Sequence, residues 1–238
     1  MSCIFYLAWD IKLIGLIFFT TFVSYLCAII IEKSNKVAIK RLCIVVTLVS
    51  CLGVLFFFKY YNFLAETLGW AIKATSGATY DFTLDLVLPV GISFYTFQTM
   101  GYLLDVYNGK YAPERNLAKF ALYVSFFPQL LQGPIGRYDQ LAPQLTAENS
   151  FDWDNLQKGF MLILWGLFKK MVIADRALPA VSAVFDASVG EYGGAAIVLG
   201  VLLYSLQQYC DFSGGIDLVT GIAQQMGITL APNFKRPY

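Results

Sequence analysis

The chain has 238 residues, of which 58% are hydrophobic and only 14% are charged, and its formal net charge is +1. A soluble domain carries about 25% charged residues, so this composition excludes an ordinary soluble fold and indicates a polytopic membrane protein. The near-zero net charge gives no support to nucleic-acid binding.

Two apolar runs near the start have membrane-spanning length, because a bilayer core of about 30 Å needs about 20 helical residues. Residues 13–31 and 42–58 contain 19 and 17 residues without a charge. The first residues lack the basic start and cleavage site of a signal peptide, so we expect the first run to be a retained helix. The segment between the runs, EKSNKVAIKR, is predicted to be cytoplasmic, with the N-terminus outside, because it carries four basic residues: Lys33, Lys36, Lys40 and Arg41.

The middle of the chain predicts one further span and one interruption. Residues 59–83 mix charges with Trp70 and several tyrosines, which is typical of an amphipathic segment at the membrane interface. Residues 86–104 form a third uncharged run, with Pro89 expected in its first turn. Residues 120–136 are also uncharged, but their prolines and glycines favour a broken or re-entrant helix, which survives in a membrane only when protein or a water-filled cavity surrounds it.

The last third combines short apolar runs with embedded charges. Asp152 or Asp154 is expected to cap a helix whose apolar stretch, about ten residues, is too short to span unless the following lysines are buried or snorkel to an interface. Residues 192–210 are an uncharged run of 19. We therefore predict an all-α, polytopic integral membrane protein with broken or re-entrant helices, forming one membrane domain over residues 1–238 with about five spanning helices.

Polar residues inside these runs are the candidate site residues, since a charge at mid-membrane costs about 2.5–3.5 kcal/mol. Lys169 and Lys170 either bind an anionic donor or snorkel. Asp211 and Asp217 lie about 240° apart around a helix and do not share a face; they line a reaction path, cap helices, or pair with Lys169 or Arg137. Arg137 either anchors the break or attracts an anionic donor. Three glutamines either bind substrate or fasten helices together: Gln98, Gln129 and Gln132.

Cysteine and histidine usage excludes several kinds of site. The five cysteines show no CxxC spacing and are predicted to be small apolar side chains: Cys3, Cys27, Cys43, Cys51 and Cys210. Histidine is absent, which excludes a histidine base, a Ser-His couple and a histidine metal site in this sequence. No metal site and no glycine-rich phosphate loop is predicted.

Three segments in order resemble the membrane-bound O-acyltransferase family, in particular its bacterial alginate O-acetyltransferase-like branch, with the teichoic-acid D-alanylation membrane protein as a more distant relative. They are residues 88–138, which include FFPQLLQGPIGRY, residues 165–176, WGLFKKMVIADR, and residues 204–238, which end in NFKRPY. The resemblance covers roughly residues 84–238, after a group of N-terminal helices in residues 1–83.

The resemblance implies a ring of helices around a funnel through the cell's inner membrane. It implies that an acyl group, acetyl in this branch, passes from a cytoplasmic thioester donor to an extracytoplasmic polysaccharide. The donor, acyl-CoA or an acyl carrier protein, is a co-substrate, and no bound cofactor is expected. The implied partners are the lipid bilayer, an extracytoplasmic acyltransferase partner and an acyl carrier protein, without nucleic acid.

The family's chemistry depends on histidines that follow the segment ending here at Pro237-Tyr238, and no catalytic residue can be carried over. We therefore expect an N-terminal portion of such an enzyme, a partial ring, and no acyl transfer by this chain alone. Two alternatives remain open at this point: a membrane transporter or channel, and a non-catalytic scaffold of a cell-surface acylation complex.

Overall fold

The computed structural model describes residues 14–77, 82–89, 91–188 and 190–234. Within these ranges all regular structure is helical, and the chain divides into two compact units, residues 1–131 with 137–142 and residues 132–136 with 143–238. The elements are α1 (Ile14–Lys33), α2 (Val37–Ser76), α3 (Ile92–Tyr107), α4 (Leu117–Val124), α5 (Phe127–Leu131), α6 (Tyr138–Thr146), α7 (Trp153–Leu167), a π-helical segment (Phe168–Ala174), α8 (Asp175–Phe185) and α9 (Gly194–Gln225).

The all-α membrane fold is confirmed. Three described helices are long and apolar enough to cross a membrane, namely α1, α2 and α9, against the five expected. The predicted single membrane domain and its division at residue 83 stay predictions. Cys3 and the final residues Lys235–Tyr238 lie outside the described ranges, and the other four cysteines are buried and free, as small apolar side chains would be.

The first unit is built on the mutual packing of α1, α2 and α3. Small and hydroxyl-bearing side chains fill the interface, and several of these hydroxyls donate to carbonyls of their own helix; Thr99, for example, donates to the Tyr95 carbonyl over 2.9 Å. Small residues allow helix backbones to approach closely where lipid offers no hydrophobic driving force. The fully buried polar members are Thr20, Ser24, Thr47, Thr96 and Thr99.

Two predicted boundaries in this unit are wrong. The run ending at Phe58 and the interfacial segment after it form one continuous helix, α2, because nothing breaks the helix before Gly77, whose positive φ of 70° ends it. The third span begins at Ile92 rather than before Pro89. Gly91 precedes it with φ 73°, and a Cβ there would overlap the Leu130 carbonyl, so the chain turns sharply at this glycine before α3 begins.

The predicted break in residues 120–136 is confirmed. Helix α4 ends at Val124, the single-turn α5 follows, and residues 132–137 have no regular structure before α6 begins. Asn116 starts α4 by accepting the N–H groups of Ala118 and Lys119. Gly133 and Pro134 are buried, so protein surrounds the irregular backbone.

In the second unit, α9 packs along the nearly continuous helix formed by α7, the π segment and α8. Asp152 caps α7 by accepting the Asp154 N–H, which decides between the two predicted caps. Glycines seven residues apart on each helix meet in pairs, Gly159 with Gly221 and Gly166 with Gly214. A Cβ on Gly166 would lie 2.6 Å from the Gly214 carbonyl oxygen, so the two backbones touch.

The glycine contact between α7 and α9 leads to a first prediction. We expect Gly221→Ala to lower the free energy of unfolding by about 1–3 kcal/mol, because the new methyl group would lie 2.6 Å from the Gly159 carbonyl oxygen. Gly194→Ala, on the same helix but with nothing within 4 Å, is the control and should be neutral or slightly stabilising. Thermal or denaturant unfolding in detergent measures both, and equal effects would contradict the packing.

Candidate functional site

The π segment lies between α7 and α8, at the position of Lys169 and Lys170. The Asp175 N–H donates to the Lys170 carbonyl, five residues earlier, which is the π-helical spacing. Such insertions are uncommon and are frequent at functional sites. The lysines that looked like the end of a short span therefore lie inside a continuous helical rod of residues 153–185.

Lys169 is buried against α9. Its Nζ lies 2.7 Å from an Asp217 carboxylate oxygen and donates to the Ser213 hydroxyl over 3.0 Å. The Lys169 side chain is 9% exposed and that of Asp217 is 25% exposed. Of the two lysine interpretations, snorkelling does not apply to Lys169, because its buried ammonium group has a partly buried carboxylate and a hydroxyl as partners.

Lys170 joins two carboxylates on different helices. Its Nζ lies 2.6 Å from an Asp211 oxygen and 2.8 Å from an Asp175 oxygen, in a half-exposed position. The two aspartates of α9 thus engage adjacent lysines, as their separation around the helix allows. The cluster of two ammonium groups and three carboxylates carries a formal charge of −1.

Gln132 meets the same stretch of α9. A Cβ on Gly215 would overlap the Gln132 side-chain amide, so this amide lies directly on the backbone of α9 between Asp211 and Asp217. The irregular residues 132–136 are therefore seated on α9 within the second unit. The sequence predicted the break but not its packing against α9. The adjacent glycines Gly214 and Gly215 were the sequence signal for such a close approach.

Phe234, in the NFKRPY motif, reaches the Asp211 end of this cluster. Its ring stands edge-on against Tyr209 and Phe212, with ring centroids 5.6 and 5.7 Å apart. These two aromatic residues flank Cys210 and Asp211. All three aromatic residues belong to the third recognised segment, and the Lys169–Asp217 and Lys170–Asp211 ion pairs join that segment to the second.

The other candidate residues lie in the first unit. Gln98 is buried, and its Nε2 donates to the Tyr123 carbonyl over 3.0 Å, which joins α3 to α4. Gln129 is buried on α5. Arg137 is exposed, and its carbonyl accepts the N–H groups that begin α6. That any of the seven candidates lines a substrate path stays a prediction.

An acidic and aromatic cluster in the first unit was missed by sequence reasoning. Tyr138 donates to Glu114 over 2.6 Å, and the Glu114 N–H donates to the Tyr102 hydroxyl over 2.8 Å. Burial acts to raise the pKa of the Glu114 carboxyl, but the Tyr138 hydroxyl and the N–H groups of Asn116 and Arg115 donate to it and hold its pKa below the usual value. Only contacts distant in sequence identify this cluster.

Comparisons with known proteins identify the family. No family model matches the chain. Over its whole length, however, it is 34% identical to the probable alginate O-acetylase AlgI of Azotobacter vinelandii and 31% identical to the peptidoglycan O-acetyltransferase of Helicobacter pylori. The chain belongs to the membrane-bound O-acyltransferase family. The teichoic acid D-alanyltransferase of Bacillus subtilis is more distant, at 27% identity over 65% of the chain and 39% of that protein.

The chain spans about half the length of these O-acyltransferase relatives, 47% of the Azotobacter protein and 49% of the Helicobacter protein. The match falls in their N-terminal portion. Together with the apolar helices, this makes the chain a multi-pass membrane protein in contact with a lipid bilayer. The family predicted from the three segments is confirmed.

A second prediction concerns the ion pair between Lys169 and Asp217. We expect Lys169→Met to cost about 3–5 kcal/mol of unfolding free energy, because it leaves the Asp217 carboxylate without its charge partner, and Lys169→Met with Asp217→Leu to recover most of the loss. Lys158→Met breaks the exposed Lys158–Asp154 pair and should cost about 0.3–0.5 kcal/mol. Unfolding in detergent tests this; similar losses from both single changes would show that Lys169 is not desolvated.

A third prediction concerns pH and Glu114. Its pKa is lower in the folded protein than its ordinary value of 4.5, so its stabilisation is complete above that value and is lost as the pH falls through the folded pKa. We expect Glu114→Gln to cost about 1.5–3 kcal/mol at pH 7, the range for a hydrogen bond to a charged group, and progressively less below pH 4.5.

The control for Glu114 is Glu148→Gln, at an exposed carboxylate, which should change stability by less than about 0.5 kcal/mol at either pH. Melting temperatures in detergent from pH 7 downward give the comparison. A Glu114→Gln deficit that grows as the pH falls would have the wrong sign and would contradict the assignment.

Proposed function

We propose that this chain is the N-terminal part of a membrane O-acyltransferase that passes an acyl group, acetyl in its O-acetylase relatives, from a cytoplasmic thioester donor to an extracytoplasmic polysaccharide. The single observation that carries the proposal is the 34% identity to a probable alginate O-acetylase over all 238 residues. Peptidoglycan is the acceptor named for a second relative, so the acceptor class is a glycan of the cell envelope.

The second unit supports a role in shaping the path rather than running the reaction. Acyl transfer from a thioester to a hydroxyl needs a base to accept the hydroxyl proton. The lysines and aspartates of the π-segment cluster are engaged with one another, at 2.6–2.8 Å, and are not poised as free bases. We propose that they fix α9 in place, and with it residues 132–136, whose Gln132 amide packs against α9, as one wall of a substrate path.

The rest of the proposal follows the family. The donor is acyl-CoA or an acyl carrier protein, the acceptor reaches the enzyme through an extracytoplasmic acyltransferase partner, and the chain lies in the inner membrane with its N-terminus outside. The chain contains no histidine. We therefore propose that these 238 residues alone do not transfer acyl groups.

The proposal predicts two outcomes in one assay. The purified chain in proteoliposomes, given labelled acetyl-CoA and alginate oligosaccharide, should transfer no label above that of empty vesicles. A chimera in which residues 1–238 replace the matching N-terminal portion of the Azotobacter relative should restore acetylation of alginate in a strain lacking that protein. Membrane levels of the chimera are measured in parallel.

Three results would decide against it. Transfer by the purified chain would overturn the proposed inactivity. A chimera that reaches wild-type membrane levels but does not acetylate would remove the support for this function. Ion or solute flux through proteoliposomes of the chain alone would favour the transporter alternative instead.

A further inference from the structure

The start of α2 carries basic side chains that the described protein leaves without charge partners. Lys33 ends α1, Lys36 precedes α2, and Lys40 and Arg41 lie in the first turns of α2. None of the four forms an ion pair within the part of the chain that the structure describes. Glu32 is the one carboxylate in this stretch of sequence, and Arg115 lies 3.4 Å from it. The four positive charges are therefore available to an external anion.

The helix terminus itself favours the same charge. Helix α2 has 40 residues, no acidic residue in its first turn, and no side-chain hydrogen bond from its N-cap residue, Lys36. The free N–H groups at such a terminus, together with the helix dipole, attract negative charge and suit a phosphate group. The nearby Ser34 hydroxyl accepts only the Lys36 N–H.

Apolar side chains stand beside these charges. Val37 is 55% exposed and Leu42 is 60% exposed, on the same first turns of α2 that carry Lys40 and Arg41. A free phosphate ion gains nothing from contact with exposed apolar side chains. A phospholipid carries a phosphate and acyl chains a few ångströms apart and can contact both the basic and the apolar residues. Basic residues next to apolar ones at the end of a spanning helix suit the boundary between headgroups and acyl chains.

We infer that the surface formed by Lys33, Lys36, Lys40 and Arg41 with Val37 and Leu42, here called the α1–α2 surface, binds the headgroup of an anionic phospholipid. The phosphate lies at the N-terminus of α2, the basic side chains surround it, and the apolar side chains contact the beginning of the acyl chains. The inference does not depend on the proposed acyl transfer, since it concerns how the first two helices are held at the membrane surface.

The test compares two lipids and two pairs of lysines. The purified full chain in detergent is titrated with dioleoyl phosphatidylglycerol or dioleoyl phosphatidylcholine, and dissociation constants are read from native mass spectrometry. Lys36→Gln with Lys40→Gln removes two charges of the surface while Lys33 and Arg41 keep the topology signal. The matched control, Lys59→Gln with Lys73→Gln, removes two charges elsewhere on α2.

We expect phosphatidylglycerol to bind more tightly than phosphatidylcholine. Each basic residue at a membrane surface contributes about 1 kcal/mol, a factor of about five, so the Lys36/Lys40 variant should bind phosphatidylglycerol about 10- to 30-fold more weakly. The control pair should change binding less than twofold, and the preference should decrease as salt is raised. Glycerol 3-phosphate, which lacks acyl chains, should not displace the lipid.

Equal affinity for the two lipids, or equal effects of the two variant pairs, would overturn the inference. So would displacement by glycerol 3-phosphate at the lipid's own concentration, because the surface would then recognise a phosphate alone. Capture of an acidic carrier protein that is lost in Lys36→Gln with Lys40→Gln, without any lipid preference, would assign the surface to a protein instead.

Discussion

The backbone contact between α7 and α9 is the constraint on which the arrangement of the second unit depends. Paired glycines let a Cα of one helix approach a carbonyl oxygen of the other so closely that no other residue type fits. In lipid, such contact replaces the hydrophobic effect as the force that joins helices. Because the helices touch, Lys169 can reach Asp217, and its burial follows from the same closeness.

Charge pairing then follows from burial. An ammonium group away from water is costly unless a carboxylate and further hydrogen bonds compensate it. Lys169 has both, from Asp217 and Ser213, and the more exposed Lys170 has two carboxylates. The pairs hold α9 against the π segment, and they bring the second and third recognised sequence segments to one place in the molecule.

The sequence predicted what depends on composition and local signals, and it failed where tertiary contacts decide. Apolar runs and prolines were enough for the membrane class, for α1 and for the break after Val124. The start of α3 was misplaced because Pro89 alone does not fix a helix start; the turn depends on Gly91 and its contact with Leu130, 39 positions later. The continuation of α2 past Phe58 was missed because charged residues after an apolar run can mark the end of a membrane span without ending the helix.

The candidate site shows the same division. The sequence identified three charged residues in apolar surroundings: Lys169, Asp211 and Asp217. Which lysine pairs with which aspartate depends on the π-helical insertion, which the amino-acid composition does not reveal. Glu114 was missed because its partners Tyr102 and Tyr138 are 12 and 24 positions away in the sequence. The local sequence pattern identifies charged residues that are unfavourable in a membrane. The residues that pair with them are set by the tertiary fold.

The two glycine contacts and the π segment constrain the packing of α7 and α9 in different ways. Sliding α7 by one residue, or rotating it by one position, would place a side chain where the two backbones touch. The glycine contacts therefore allow α7 and α9 to pack in only one register. In the π segment the hydrogen bonds span five residues instead of four, and insertions of this kind are frequent at functional sites. A shift of Lys169 relative to Asp217 is therefore opposed directly at Gly166, three residues before Lys169, where α7 and α9 touch.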